Sequence, residues 1–211
     1  MTPHAVLFDN DGLLLDTEML WTRAETRLFA RFGVTFTMDH KREMIGTSTG
    51  ESEAIIERQL ELPGRGAELM AELHELVMEE ALGGVEPMPG AVELLDALDG
   101  RPVGVASNSP RLFVERTLNA AGLYDRFACV LSSEDVERPK PAPDLYIALA
   151  RELGAEPADC VALEDSATGV RAARAAGAFV IGVPSLEGVV LDEADLVAES
   201  LADPRVLARL A

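Results

Sequence analysis

Short apolar runs alternate with longer amphipathic stretches over most of the chain, and that rhythm predicts the fold class. Ala5–Phe8 (AVLF), Pro102–Ser107 (PVGVAS), Ala128–Ser132 (ACVLS), Cys160–Asp165 (CVALED) and Ala178–Val183 (AFVIGV) are apolar runs bounded by turn residues, the pattern of buried parallel strands. A weaker run, Ala194–Ala198 (ADLVA), is a candidate further strand. Between them, Arg111–Ala121, Asp144–Leu153 and Thr168–Ala176 carry helical periodicity and close at Gly122, Gly154 and Gly177. Strands and helices that alternate in this way build an α/β fold with a Rossmann-like, doubly wound parallel sheet.

Residues 16–84 break the rhythm. Thr17–Phe32 reads as one long helix, and Leu69, Leu73, Leu76 and Val77 lie along one face of another, with no convincing strand between them. Glu68, Glu72, Glu75, Glu79 and Glu80 form the solvated side of that second helix. Gly83-Gly84 and Pro87-Met88-Pro89-Gly90 punctuate the return to alternating structure. The expected organisation is a core formed by residues 1–15 and 85–211, with a helical insert at 16–84. The two short connections, Leu15–Thr17 and Gly83–Pro87, are expected to serve as hinges.

Composition narrows the ligand. Hydrophobic residues make up 48% of 211, which is enough for a packed core, while 18 basic against 37 acidic residues give a net charge of −19. Such a chain repels nucleic acid and anionic lipid, so an anionic ligand needs a local cation to draw it in. Cys129 and Cys160 each sit in or beside a strand run and are expected to be reduced core thiols. The first strand begins at Ala5 and no apolar run is long enough to span a bilayer, so a cytoplasmic monomer without membrane or nucleic-acid partners is expected.

In open parallel sheets, function gathers at the carboxyl ends of strands. Asp9 and Asp11 follow the first strand, Ser107 and Asn108 the second, Lys140 comes after the third within RPKPAP, and Glu164 and Asp165 end the fourth. Two aspartates two residues apart on extended chain point the same way and repel unless a cation or shared proton holds them. Asp9 and Asp165 are hard oxygen donors of the kind Mg²⁺ takes alongside phosphate oxygens. Ser107, Asn108 and Lys140 supply hydrogen-bond donors for a transferring phosphoryl group. A carboxylate held ionised by the metal can attack phosphorus, and a second one off the metal can carry a proton, which suits Asp9 and Asp11 respectively. Gly12 permits the turn that aims both inward, and Asn10 is expected to point away.

FDNDGLLLDTE, VASNS, RPKPAPDLY and LEDSATGVRAARAAG resemble, in order, the four motifs of the haloacid dehalogenase superfamily, in the subfamily of β-phosphoglucomutase-like proteins and small sugar-phosphate phosphatases. The resemblance spans essentially the whole chain, with 16–84 in the place of that subfamily's α-helical cap. It implies that Asp9 is the nucleophile and a Mg²⁺ ligand. It implies further that Asp11 is the general acid/base and offers its backbone carbonyl to the metal, that Ser107 and Lys140 bind phosphate, and that Asp165 is the third metal ligand. Glu164 either ligates directly or orients the ligand set.

The superfamily's dehalogenases lack the second aspartate, so Asp11 favours phosphate esters. A mutase of this subfamily carries a cap histidine and a cap arginine where this chain has Trp21 and Thr49. The reading is therefore a Mg²⁺-dependent phosphatase of a small phosphorylated metabolite, a sugar phosphate, working through an aspartyl-phosphate. A β-phosphoglucomutase-type phosphomutase is the alternative. A phospho-accepting signalling domain fits less well, because it places its acceptor on a middle strand and has no helical cap.

Overall fold

The structure is a computed structural model that describes residues 2–44, 49–98, 100–185 and 188–211. Six strands, β1 (Ala5–Phe8), β2 (Val103–Ala106), β3 (Cys129–Leu131), β4 (Cys160–Glu164), β5 (Phe179–Gly182) and β6 (Leu196–Val197), form one parallel sheet in the order β3-β2-β1-β4-β5-β6. β1 coincides with its apolar run, and the other five strands are one to three residues shorter than theirs. The chain divides into two compact units, Met1–Thr17 with Val85–Ala211, and Glu18–Gly84.

In the first unit, β1 lies at the centre of the sheet and is fully buried, in register with β2 on one side (Phe8 opposite Val105) and β4 on the other (Phe8 opposite Leu163). A strand covered on both faces cannot alternate apolar with polar residues, which is why AVLF is apolar throughout. One face packs on α7 (Asp144–Glu152) and α8 (Ala167–Ala176): Leu7, Ala106 and Ala162 of the sheet meet Leu145, Tyr146 and Leu149 of α7 and Val170 and Ala173 of α8. Phe8, Val105, Leu163 and Ile181 point to the opposite face and are equally buried. Strand order reverses between β1 and β4, and in open α/β sheets that is where a crevice opens beyond the strand ends. Cys129 and Cys160 are free thiols.

The second unit contains α1 (Glu18–Arg31), α2 (Met38–Met44), α3 (Thr49–Leu60) and α4 (Gly66–Ala81), and no strand among its described residues. Leu20, Ala24, Leu28 and Phe29 of α1 and Leu69, Leu73, Leu76 and Val77 of α4 are buried, as expected of two amphipathic helices packed along their apolar stripes. Lys41 is also buried here, donating to Thr22 Oγ1 at 2.7 Å and pairing with Glu18 at 3.0 Å and Glu25 at 3.3 Å. Burial pushes the Glu25 carboxyl up, and Lys41 acts against that rise. Among the described residues no helix is long and apolar enough to cross a membrane.

Candidate active site

Asp9 continues β1 by one rung, its N–H donating to Leu163 O at 3.0 Å, so its side chain leaves the sheet where β1 and β4 end side by side. The chain then turns at Gly12, whose φ of 80° belongs to the left-handed region. A β-carbon on Gly12 would lie 2.4 Å from Asp165 Oδ2. Glycine is thus needed twice at this position, for the turn and for the close approach of the β1 loop to Asp165.

Lys140 is buried and its ammonium bridges two carboxylates, 2.6 Å from Asp9 Oδ1 and 2.6 Å from Glu164 Oε1. Burial alone lowers the pKa of a lysine, but the carboxylates of Asp9 and Glu164 outweigh it and hold the ammonium charged well above the ordinary range. Burial likewise pushes the Asp9 carboxyl well up; Lys140 opposes this, and the neighbouring Glu164, Asp165 and Asp11 add to it. The Asp165 carboxyl is pushed up to about 7, chiefly by burial and then by the charge of Glu164, although Ser185 donates to Oδ2 at 2.6 Å. Carboxylate oxygens of Asp9, Glu164 and Asp165 lie within 4.8 Å of one another. Two buried carboxylates on one ammonium, with the half-buried Asp165 beside them, leave excess negative charge, and an all-oxygen donor set of this kind suits a hard divalent cation such as Mg²⁺.

Asp11 faces different surroundings. Its Oδ2 accepts from Ser107 Oγ and Ser109 Oγ, both at 2.8 Å, and its Oδ1 accepts from Asn10 Nδ2 at 3.2 Å. Ser107 therefore touches the second aspartate, and so does Ser109, which the sequence reading did not single out. The spacing Ser107-x-Ser109 was the available signal, since residues two apart leave an extended chain on one side. Asn10 is fully buried, and its carboxamide donates to Asp11 Oδ1 and to Thr117 Oγ1, the latter at 3.4 Å.

Asn108, expected as a phosphate donor, holds the Lys140 peptide. Its Nδ2 donates to Lys140 O at 3.0 Å, and its Oδ1 accepts from Lys140 N–H at 2.9 Å. With both ends of its carboxamide on one peptide unit, the side chain pins the loop that carries Lys140.

Glu164 is fully buried. Oε1 accepts from Lys140 and from the Tyr146 hydroxyl at 2.5 Å, and Oε2 accepts from Ser166 Oγ at 3.2 Å. Ser166 in turn caps α8 by accepting from Gly169 N–H at 3.0 Å. A β-carbon on Gly169 would fall 1.9 Å from the Glu164 carboxylate. A free glutamate end moves aside at little cost; this one is tied by three donors. Gly169→Ala should therefore destabilise the fold by about 1–3 kcal/mol, measured by denaturant unfolding, and wild-type stability would show that Glu164 is not held as described.

In the helical unit, Trp21 is half-buried and meets the His74 ring edge-on at 5.6 Å. The side chain of Thr49, the other position bearing on the mutase alternative, lies outside the described residues.

Comparison with known proteins adds family relationships to this geometry. The family described as haloacid dehalogenase-like hydrolase matches residues 3–177. The bifunctional riboflavin kinase/FMN phosphatase of Arabidopsis thaliana is 32% identical over 95% of this chain, which spans 54% of that protein's length. Hexitol phosphatase B of Escherichia coli (strain K12) is 34% identical over 87% of this chain and 84% of its own. CbbY from Rhodobacter sphaeroides, solved in complex with phosphate, superposes with a TM-score of 0.82 at 29% identity, covering 99% of both chains.

Proposed function

The chain belongs to the haloacid dehalogenase-like hydrolases and is a phosphomonoesterase, and from that premise we propose that it hydrolyses a small sugar phosphate with Mg²⁺ and an aspartyl-phosphate on Asp9. The observation that carries this reading is the divergence of two aspartates on one short loop. Asp9 sits among carboxylates and the Lys140 ammonium, and Asp11 sits among hydroxyl donors. Titratable groups kept in contrasting surroundings mark a division of labour between nucleophile and proton carrier.

In this mechanism Asp9, Asp165 and the Asp11 backbone carbonyl would hold the metal. Mg²⁺, when bound, neutralises carboxylates and phosphate oxygens that otherwise repel. An Asp9 oxygen attacks phosphorus as the P–O bond to the sugar breaks, and Asp11 gives a proton to the departing sugar oxygen. Asp11 then takes a proton from water, which attacks phosphorus and releases Asp9 and inorganic phosphate. Ser107 and Lys140 donate to the phosphoryl oxygens throughout. Glu164 is best read as orienting Lys140, since both its oxygens already accept from side-chain donors.

The named activity of hexitol phosphatase B supports a sugar-phosphate substrate. Lys41 favours hydrolysis over mutase exchange. A mutase needs a cap cation to grip a second phosphate, and this ammonium is spent on Glu18 and Glu25. The test is a panel of hexose, hexitol and pentose monophosphates assayed for phosphate release with Mg²⁺. The expected result is stoichiometric release from at least one. Efficient conversion of β-glucose 1-phosphate to glucose 6-phosphate, primed by the bisphosphate and without phosphate release, would overturn the reading in favour of a mutase.

A further inference from the structure

We infer that Tyr146 is a positioning residue for phosphoryl transfer, holding Glu164 as the fixed counter-charge that keeps the Lys140 ammonium against Asp9. The inference rests on the role given to Lys140 in the proposed mechanism.

Tyr146 lies on the face of α7 that packs against the sheet, fully buried among Leu145, Leu149 and Ala162. A tyrosine in that setting needs a partner for its hydroxyl, and burying an unpaired one is costly. Here the partner is a charged group: the phenol donates to Glu164 Oε1 at 2.5 Å. The same oxygen takes the Lys140 ammonium at 2.6 Å, and Lys140 Nζ lies 5.0 Å from the centre of the Tyr146 ring. One side chain therefore touches both members of the buried pair, the anion through its hydroxyl and the cation through its ring face.

An ammonium has three N–H donors. Two are aimed at Asp9 and Glu164, and the direction of the third follows from where those two anchors stand. Phenylalanine at 146 would preserve the packing and the ring face but withdraw one of the three donors that hold Glu164. The carboxylate could then swing, and Lys140 with it. Displacing a group that organises a reacting centre by about 1 Å can cost about 10²-fold in rate.

The test is Tyr146→Phe in the full chain with saturating Mg²⁺. It is assayed with p-nitrophenyl phosphate and with whichever sugar phosphate is hydrolysed, and calorimetry measures inorganic phosphate binding in four proteins: wild type, Tyr146→Phe, Lys140→Met and the double variant. The substitution should lower kcat about tenfold with a smaller change in KM. It should also weaken phosphate binding by a similar factor, while the melting temperature moves by only a few degrees. In the Lys140→Met background, Tyr146→Phe should change phosphate affinity by less than about twofold, because contributions that act through one group are not additive. A Tyr146→Phe kcat within about twofold of wild type overturns the inference, and so does an equal loss in both backgrounds, which would make the effect one of packing alone. A wild-type enzyme that cleaves p-nitrophenyl phosphate but no sugar phosphate would discard the proposed substrate class and leave this comparison intact.

Discussion

Asp9→Asn should abolish hydrolysis, lowering kcat by at least about 10³-fold, while leaving the protein folded. Asparagine matches aspartate in shape but offers no anionic oxygen to attack phosphorus. Lys140 loses one counter-charge and keeps the other on Glu164, so the ammonium stays paired. Burial pushes the Asp9 carboxyl well up, so its charge is less favourable here than in water. Removing that charge should leave the metal-free melting temperature equal or higher. Acid-quenched reactions should contain no phosphoenzyme in Asp9→Asn. Asp11→Asn should behave differently: it keeps the nucleophile and loses the proton carrier, so phosphoenzyme should still form from substrates with good leaving groups and discharge slowly. Near-normal turnover by Asp9→Asn would remove the nucleophile from the mechanism altogether.

Removing divalent metal should have an effect of comparable size. Excess chelator should bring phosphate release to background, and Mg²⁺ should restore it where Ca²⁺, with its larger and looser shell, does so poorly. Full activity in chelator would exclude the proposed metal role. The pH dependence follows from Asp165, whose carboxyl is pushed up to about 7, chiefly by burial. A cation must displace that proton, so apparent Mg²⁺ affinity should fall about tenfold for each pH unit below about 7 and level off above it.

Stability of the metal-free protein should move the opposite way. Between the ordinary carboxyl value of 3.8 and about 7, the folded state binds a proton at Asp165 that the unfolded state has lost. Unfolding free energy therefore declines as pH rises through that interval, and the contribution is gone above about pH 7. Saturating Mg²⁺ should reverse the slope, because it binds the ionised folded state. Thermal melts from acid to mildly alkaline pH, with and without Mg²⁺, read both trends, and a metal-free protein that gains stability across this range would contradict the environment described for Asp165.

The sequence by itself determined the elements and the residues at their ends. AVLF, PVGVAS and CVALED are apolar because both faces of their strands are covered, and that covering forces the first polar residues of each run to the strand ends. Asp9, Ser107, Glu164 and Asp165 were legible for that local reason, and the α8 cap at Ser166 was legible from the same short-range chemistry. What each group touches was decided by the tertiary structure. Asp9 and Lys140 are 131 positions apart, and they meet only because β1 lies beside β4 in the sheet and the Lys140 loop returns over their ends. The contacts of the Asn108 carboxamide with the Lys140 peptide and of the Asn10 amide with Asp11 are likewise set by the assembled loops. Tyr146 reads in sequence as one more core position of α7, and Ser185 as a loop serine. Their partners, Glu164 and Asp165, stand at the end of β4, and no pattern within a helix or a loop encodes which strand end will pack against it. Periodicity follows from contacts between near neighbours along the chain, whereas the electrostatics of this site follow from contacts that exist only after the sheet has assembled.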